Sequence, residues 1–127
     1  MPNNNHPVSP HLQIYRLPLT ALLSIVHRMT GVILACASLL LVWVLAAAAE
    51  SAPAYEVLMS HLQAWYGQVF LLGVVFSLYL HFCHGIRHLF WDVGYGFELE
   101  TVDLTAKLAI AMALVLTAAT WIVAGAG

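Results

Sequence analysis

Charge is what this sequence has least of: four basic and six acidic side chains in 127 residues. The four cations, Arg16, Arg28, Arg87 and Lys107, are scattered along the chain, which leaves no basic patch and excludes nucleic acid as a partner. Cysteine is nearly absent too. Cys36 and Cys83 sit inside apolar runs with no C-x-x-C or C-x-x-C-H, so there is no dithiol pair, no covalent haem attachment motif and no set of ligands for an iron–sulfur cluster. No glycine-rich fingerprint for a dinucleotide is present. The stretch Met1 to Pro10 has no Lys or Arg ahead of an apolar core, so it reads as a short polar tail rather than a cleavable secretory signal.

What fills the chain instead is apolar side chain, 62% of it, with a mean hydropathy of +0.88. Those values belong to a lipid-solvated chain rather than a soluble domain. No charge occurs from Met29 to Ala49, from Val57 to Ile86, or from Leu108 to Gly127, and each stretch reaches about the 20 residues that span hydrocarbon. The expected fold is all-α, an integral membrane bundle of three transmembrane helices forming one domain over residues 1–127. After a tail at 1–17, the helices are expected at about 18–48, 61–92 and 104–124. The first, opening at Pro18, would be roughly 45 Å long and so exceed the hydrocarbon core. Its first two turns, with Ser24, His27 and Arg28, then belong at the interface. Arg16, Arg28, Arg87 and Lys107 flank one end of the bundle, while the Glu50 to Ser60 loop, broken by Pro53, carries only Glu50 and Glu56. The positive-inside rule therefore puts the N-terminus inside. Gly94 and Gly96 loosen the second connection.

On the second helix a rotation of about 100° per residue puts Ser77, His81, His84, Gly85, His88 and Asp92 on one narrow face. Ionisable groups at membrane depth are costly, so such a stripe marks a functional site by default. His81 lies about 10 Å deeper than His88, and Gly85 one turn away leaves room for a planar group. Haem fits: a neutral imidazole ligates its iron, while His88 and Arg87 nearer the water can meet its propionates. Hydrogen bonding between helices, a proton pathway and a transition-metal site are the alternatives, the last weakened by the lack of a carboxylate or thiolate in reach. His84 taken alone reads as a packing residue. His61, with Trp65 and Tyr66, belongs at the opposite membrane surface.

Ser24, His27 and Arg28 stand at i, i+3 and i+4 on the first helix, continued by the small residues Gly31 and Ala35. A polar cluster beside an apolar groove suits an amphipathic carbonyl ligand such as a quinone, with Ser24 and Arg28 as donors. The same residues would also serve as a headgroup anchor and a helix cap.

Two segments, S-P-H-L-Q-I-Y-R-L-P-L-T-A-L-L-S-I-V-H-R-M-T-G at 9–31 and H-F-C-H-G-I-R-H-L-F-W-D at 81–92, resemble the signatures of the cytochrome b large membrane-anchor subunits of succinate dehydrogenase, respiratory complex II. The resemblance extends over the whole chain and its three-helix layout. It implies that His81 is the axial ligand of a haem b and that His27, Arg28 and His88 lie near the propionates. It also implies that Ser24 and Arg28 contribute to the ubiquinone pocket. The second axial ligand would come from a small hydrophobic anchor subunit, so that the haem is shared. A flavoprotein subunit would oxidise succinate and an iron–sulfur subunit docked on the inner face would pass the electrons on. On its own the chain would not be an enzyme. It would anchor the complex in membrane lipid and shape the site where ubiquinone is the substrate. A fumarate reductase-type anchor and a cofactor-free structural anchor are the alternative readings. A proton or metal permease is disfavoured by the short chain and the lack of a carboxylate at depth. A bacterial inner membrane is expected rather than a mitochondrial one, because residues 1–14 lack an arginine-rich amphipathic pattern.

Overall fold

A computed structural model describes residues 17–126, so all of the tail but Leu17, with Arg16 and residues 9–16 of the first signature, lies outside the described residues. The described residues form four helices and no strand: α1 (Leu19–Glu50), α2 (Ala52–Gln63), α3 (Trp65–Asp92) and α4 (Leu99–Ala126). α1, α3 and α4 are each long and apolar enough to cross a bilayer, which gives the three-span bundle. α1, at 32 residues, is roughly 48 Å long.

The connection after α1 departs from the expected loop. Ser51 is extended and caps a separate 12-residue helix, its hydroxyl accepting from Ala54 N–H at 3.3 Å. Pro53 falls in the first turn of α2, where its missing N–H breaks no helical bond, so it starts a helix instead of breaking a loop. The second span consequently begins at Trp65 rather than near residue 61. Between α2 and α3 a single extended residue, Ala64, turns the corner, and Gln68 Nε2 donates to the freed Leu62 carbonyl at 3.0 Å. Gly67 is buried there because a Cβ would fall on the main chain of His61 and Leu62, 2.6 Å from Leu62 Cα. Gly67→Ala should therefore cost about 1–3 kcal/mol. Gly73→Ala, whose Cβ meets nothing within 4 Å, should instead gain roughly 0.5–1 kcal/mol from the helix backbone. Thermal unfolding in detergent should move in opposite directions for the two variants.

α3 stops through glycine geometry. Gly94 has φ +97°, Gly94 N–H returns to Trp91 O at 2.9 Å and Tyr95 N–H to Phe90 O at 2.9 Å, the paired bonds of a Schellman ending. α4 then starts earlier than expected, with Glu100 in its first turn complementing the helix dipole. It packs on α3 through a seam of small residues, Ala106, Ala109, Ala113 and Thr117, all buried. In lipid, close backbone approach of this kind is a principal source of helix association. Tyr79 O–H bridges to Thr120 Oγ1 at 2.6 Å farther along the same interface. α1 crosses the other side of α3, and this α1–α3 contact positions the histidines.

Candidate functional site

Four of the histidines converge where α1 crosses α3. His27 from α1 stacks face to face on His81 from α3, with ring centroids 4.0 Å apart and planes 6° from parallel. It also lies 4.9 Å from the His84 ring and 5.4 Å from that of His88. The stripe on α3 accounts for three of these rings, and His27 joins them because Gly31, one turn along α1, lets α3 come close. A Cβ at Gly31 would stand 3.2 Å from His81 Cε1. At Gly85 a Cβ would meet nothing within 4 Å, which keeps the space beside the stripe open.

The hydrogen bonds determine which nitrogen of His81 is free. His81 Nδ1 is 3.1 Å from the His27 carbonyl, which only accepts, so Nδ1 carries the proton. Thr30 donates its hydroxyl to the same carbonyl at 2.8 Å and lies 3.0 Å from Nδ1, close enough for its oxygen to accept from it. The Nε2 lone pair is left in the plane of the ring, where a stacked neighbour on the ring face does not cover it. Neither Thr30 nor the His27 carbonyl was identified from the sequence. Thr30 shares a face with His27 at i+3, a weak signal, and a main-chain carbonyl leaves no sequence signal at all.

His84 has the opposite tautomer. Arg87 Nη1 lies 3.0 Å from His84 Nδ1, and a guanidinium only donates, so Nδ1 accepts and Nε2 bears the proton. His84 is the most buried large side chain among the described residues, at 2% exposure. Two buried side-chain nitrogens in the cluster have no partner among the described residues, His27 Nδ1 and His84 Nε2. Among the described residues no group of three or more His, Cys, Asp or Glu could hold a metal ion.

Arg87, expected near the water, is turned toward α4. Its side chain is buried against α4, where Nε donates to Thr105 Oγ1 at 2.9 Å and Nη2 to the Val102 carbonyl at 3.0 Å. The guanidinium also lies 4.4 Å from the Trp91 ring centroid. Position 87 is some 240° around α3 from His81, so its stem leaves toward α4 and only its tip returns to His84. Ser24 and Arg28 are not drawn into the histidine cluster. Ser24 is half-buried and Arg28 exposed, and neither side chain hydrogen-bonds to another described residue. Ala35, expected to continue their face, is exposed. His61 pairs its Nδ1 with Tyr66 O–H at 2.6 Å on the far side of α3 from the cluster in sequence, at the α2–α3 corner. A cavity of about 490 Å³ opens between α3 and α4, with Arg87 and Thr105, each already hydrogen-bonded within the protein, on its wall.

The family model described as "Succinate dehydrogenase/Fumarate reductase transmembrane subunit" matches residues 2–120. The chain is 42% identical over 119 residues to the succinate dehydrogenase cytochrome b556 subunit of Paracoccus denitrificans, covering 94% of this chain and 92% of that one. It is 39% identical over 127 residues to the succinate dehydrogenase cytochrome b560 subunit of Reclinomonas americana, covering 95% and 88%. With the corresponding subunit of Rickettsia felis it shares 37% over 119 residues, covering 94% and 93%. The chain, with its three spans and its histidines gathered between two of them, belongs to the family of succinate dehydrogenase/fumarate reductase transmembrane subunits.

Proposed function

We propose that the chain anchors a succinate:ubiquinone oxidoreductase in the membrane, supplies His81 as one axial ligand of a haem b, and contributes Ser24 and Arg28 to the ubiquinone-reduction site. The observation that carries the haem assignment is the His81 tautomer. Its Nδ1–H is tied to the His27 carbonyl, which orients the ring and leaves Nε2 as the donor atom. Histidine ligands are commonly held in this way by a backbone or carboxylate acceptor. His84 is a poor ligand by the same argument, since its Nδ1 lone pair is committed to Arg87 and its Nε2 is protonated. The unpartnered His27 Nδ1 and the open space at Gly85 suit the edge of a large planar group. A bound haem b would supply one-electron redox chemistry. The chain's own residues would hold its iron at His81 and meet its propionates with His27, His88 and Arg28.

The second axial ligand belongs to a small hydrophobic anchor subunit in this reading, and a flavoprotein and an iron–sulfur subunit complete the complex. The N-terminal end of α1 lies on the inner side of a bacterial inner membrane, where Arg28 and Ser24 meet the quinone head. The names of the relatives, cytochrome b subunits of succinate dehydrogenase, support this direction over fumarate reduction. The test is a dithionite-reduced minus oxidised absorbance spectrum of the purified complex. A b-type band is expected, and its absence would reduce the chain to a structural anchor.

The hydroxyl of Thr30 gives a finer expectation. Thr30→Val keeps the shape and removes the second contact to His81 Nδ1 and to the His27 carbonyl. Losing an outer-shell partner of a ligand typically costs 10–100-fold in metal affinity, so haem retention should weaken by about 10-fold. The haem-to-protein ratio through repeated detergent washes measures it, and an unchanged ratio would remove Thr30 from the site.

A further inference from the structure

We propose that His84 is a neutral N–H donor to a haem propionate carboxylate, and that Arg87 is the positioning residue that fixes the donor's tautomer. The inference rests on the haem reading above and adds to the site a residue that neither the resemblance nor the relatives assign.

The contact at Nδ1 is unambiguous in direction, because a guanidinium has no lone pair to offer and the imidazole must accept. The proton is therefore on Nε2, which is buried and has no acceptor among the described residues. An unsatisfied N–H in the interior is costly, and the rest of the surroundings give no return for it. Charge points to what the acceptor is. Arg87 is 5% exposed, and the one salt bridge among the described residues joins Lys107 to Asp103 on the surface of α4. Arg87's partners are a hydroxyl, a carbonyl, an imidazole nitrogen and an indole face, none of them anionic. Buried charges are ordinarily paired, so the region has an uncompensated positive charge with a donor N–H beside it. The His84 ring also lies 4.9 Å from the rings of both His27 and His88, the two histidines already assigned to the propionates. A carboxylate has about four acceptor sites and can take His84 Nε2–H together with donors from these neighbours. Water would satisfy the N–H but would leave the Arg87 charge uncompensated.

Redox potentiometry of the assembled complex separates the two. A donor to the propionate draws negative charge away from the iron, so removing it favours the ferric state. His84→Leu should keep the haem band and shift its midpoint to lower potential. His84→Gln, whose amide oxygen can accept from Arg87 while its NH2 donates, should return the midpoint toward the wild-type value. An unshifted midpoint in the leucine variant with haem intact overturns the proposal and leaves His84 a packing residue. Should the leucine variant fail to assemble, His84→Gln decides alone in the redox-difference infrared spectrum with 13C-labelled propionates. There the carboxylate band should move when an amide replaces the imidazole, and an unmoved band overturns the proposal. Absence of any haem in the wild-type complex is a separate failure, of the haem reading itself, and takes this proposal with it.

Discussion

His81→Ala eliminates the b-type absorbance signal of the assembled complex, whereas His84→Ala keeps it; this is the largest spectroscopic effect expected of any single substitution in the chain. Both residues sit on the same stripe, one turn apart, so spacing alone does not choose between them. The hydrogen bonds do. The His27 carbonyl demands a proton on His81 Nδ1, and Arg87 demands a lone pair on His84 Nδ1. Only the first arrangement leaves an unprotonated Nε2. Making His84 the ligand would require breaking its contact with Arg87 and reversing the tautomer, at about 1–3 kcal/mol for each buried polar group left unpaired. His81→Ala itself puts a strong helix former in place of a half-buried ring, so α3 should persist and subunit content should be unchanged. A full signal in His81→Ala would move the ligand to His84 or to the partner chain. Loss of signal in His84→Ala, with subunits assembled, would make the same correction from the other side.

The spans were legible in the sequence because charge is so sparse that its gaps mark the membrane. The histidine stripe was legible because helical rotation is fixed. What escaped has a physical reason in each case. α2 is short and has a proline in its first turn, and Pro53 reads as a break unless Ser51 is recognised as the cap before it. The convergence of His27 on the stripe depends on how closely α1 approaches α3, which Gly31 permits but does not announce. The helix position of Arg87 says only that its Cα lies near the polar end; that its long side chain swings to Thr105 and Val102 on α4 is set by tertiary packing. The tautomers of His81 and His84 depend on a main-chain carbonyl and a guanidinium tip. Their positions are properties of the folded bundle and not of any motif.

The second large effect is functional, and the weak structural attachment of Arg28 is what makes it clean to measure. Arg28 is exposed on α1 and its side chain makes no hydrogen bond or ion pair with another described residue. Removing it should change stability by no more than about 0.5 kcal/mol, as for surface substitutions generally. A residue that the fold does not use, placed one position beyond His27 at the end of the first span, is free to meet a quinone oxygen on which negative charge builds as electrons arrive. Taking one such donor from a site of developing charge typically costs about 10²–10³ in rate. Arg28→Ala is therefore expected to lower succinate:ubiquinone turnover by about 100-fold. Succinate oxidation by a soluble artificial acceptor, which draws electrons before they reach the membrane subunits, should be largely unchanged. Arg28→Lys should recover part of the loss, since the charge remains while the planar fork of donors does not. Ser24→Ala should lie between, because Ser24 offers a single neutral donor and no charge. Near-normal ubiquinone turnover in an assembled Arg28→Ala complex would remove Arg28 from the quinone site. An equal fall in both assays would instead mean that the variant disturbs docking of the soluble subunits, so the ratio of the two activities, not either alone, carries the assignment.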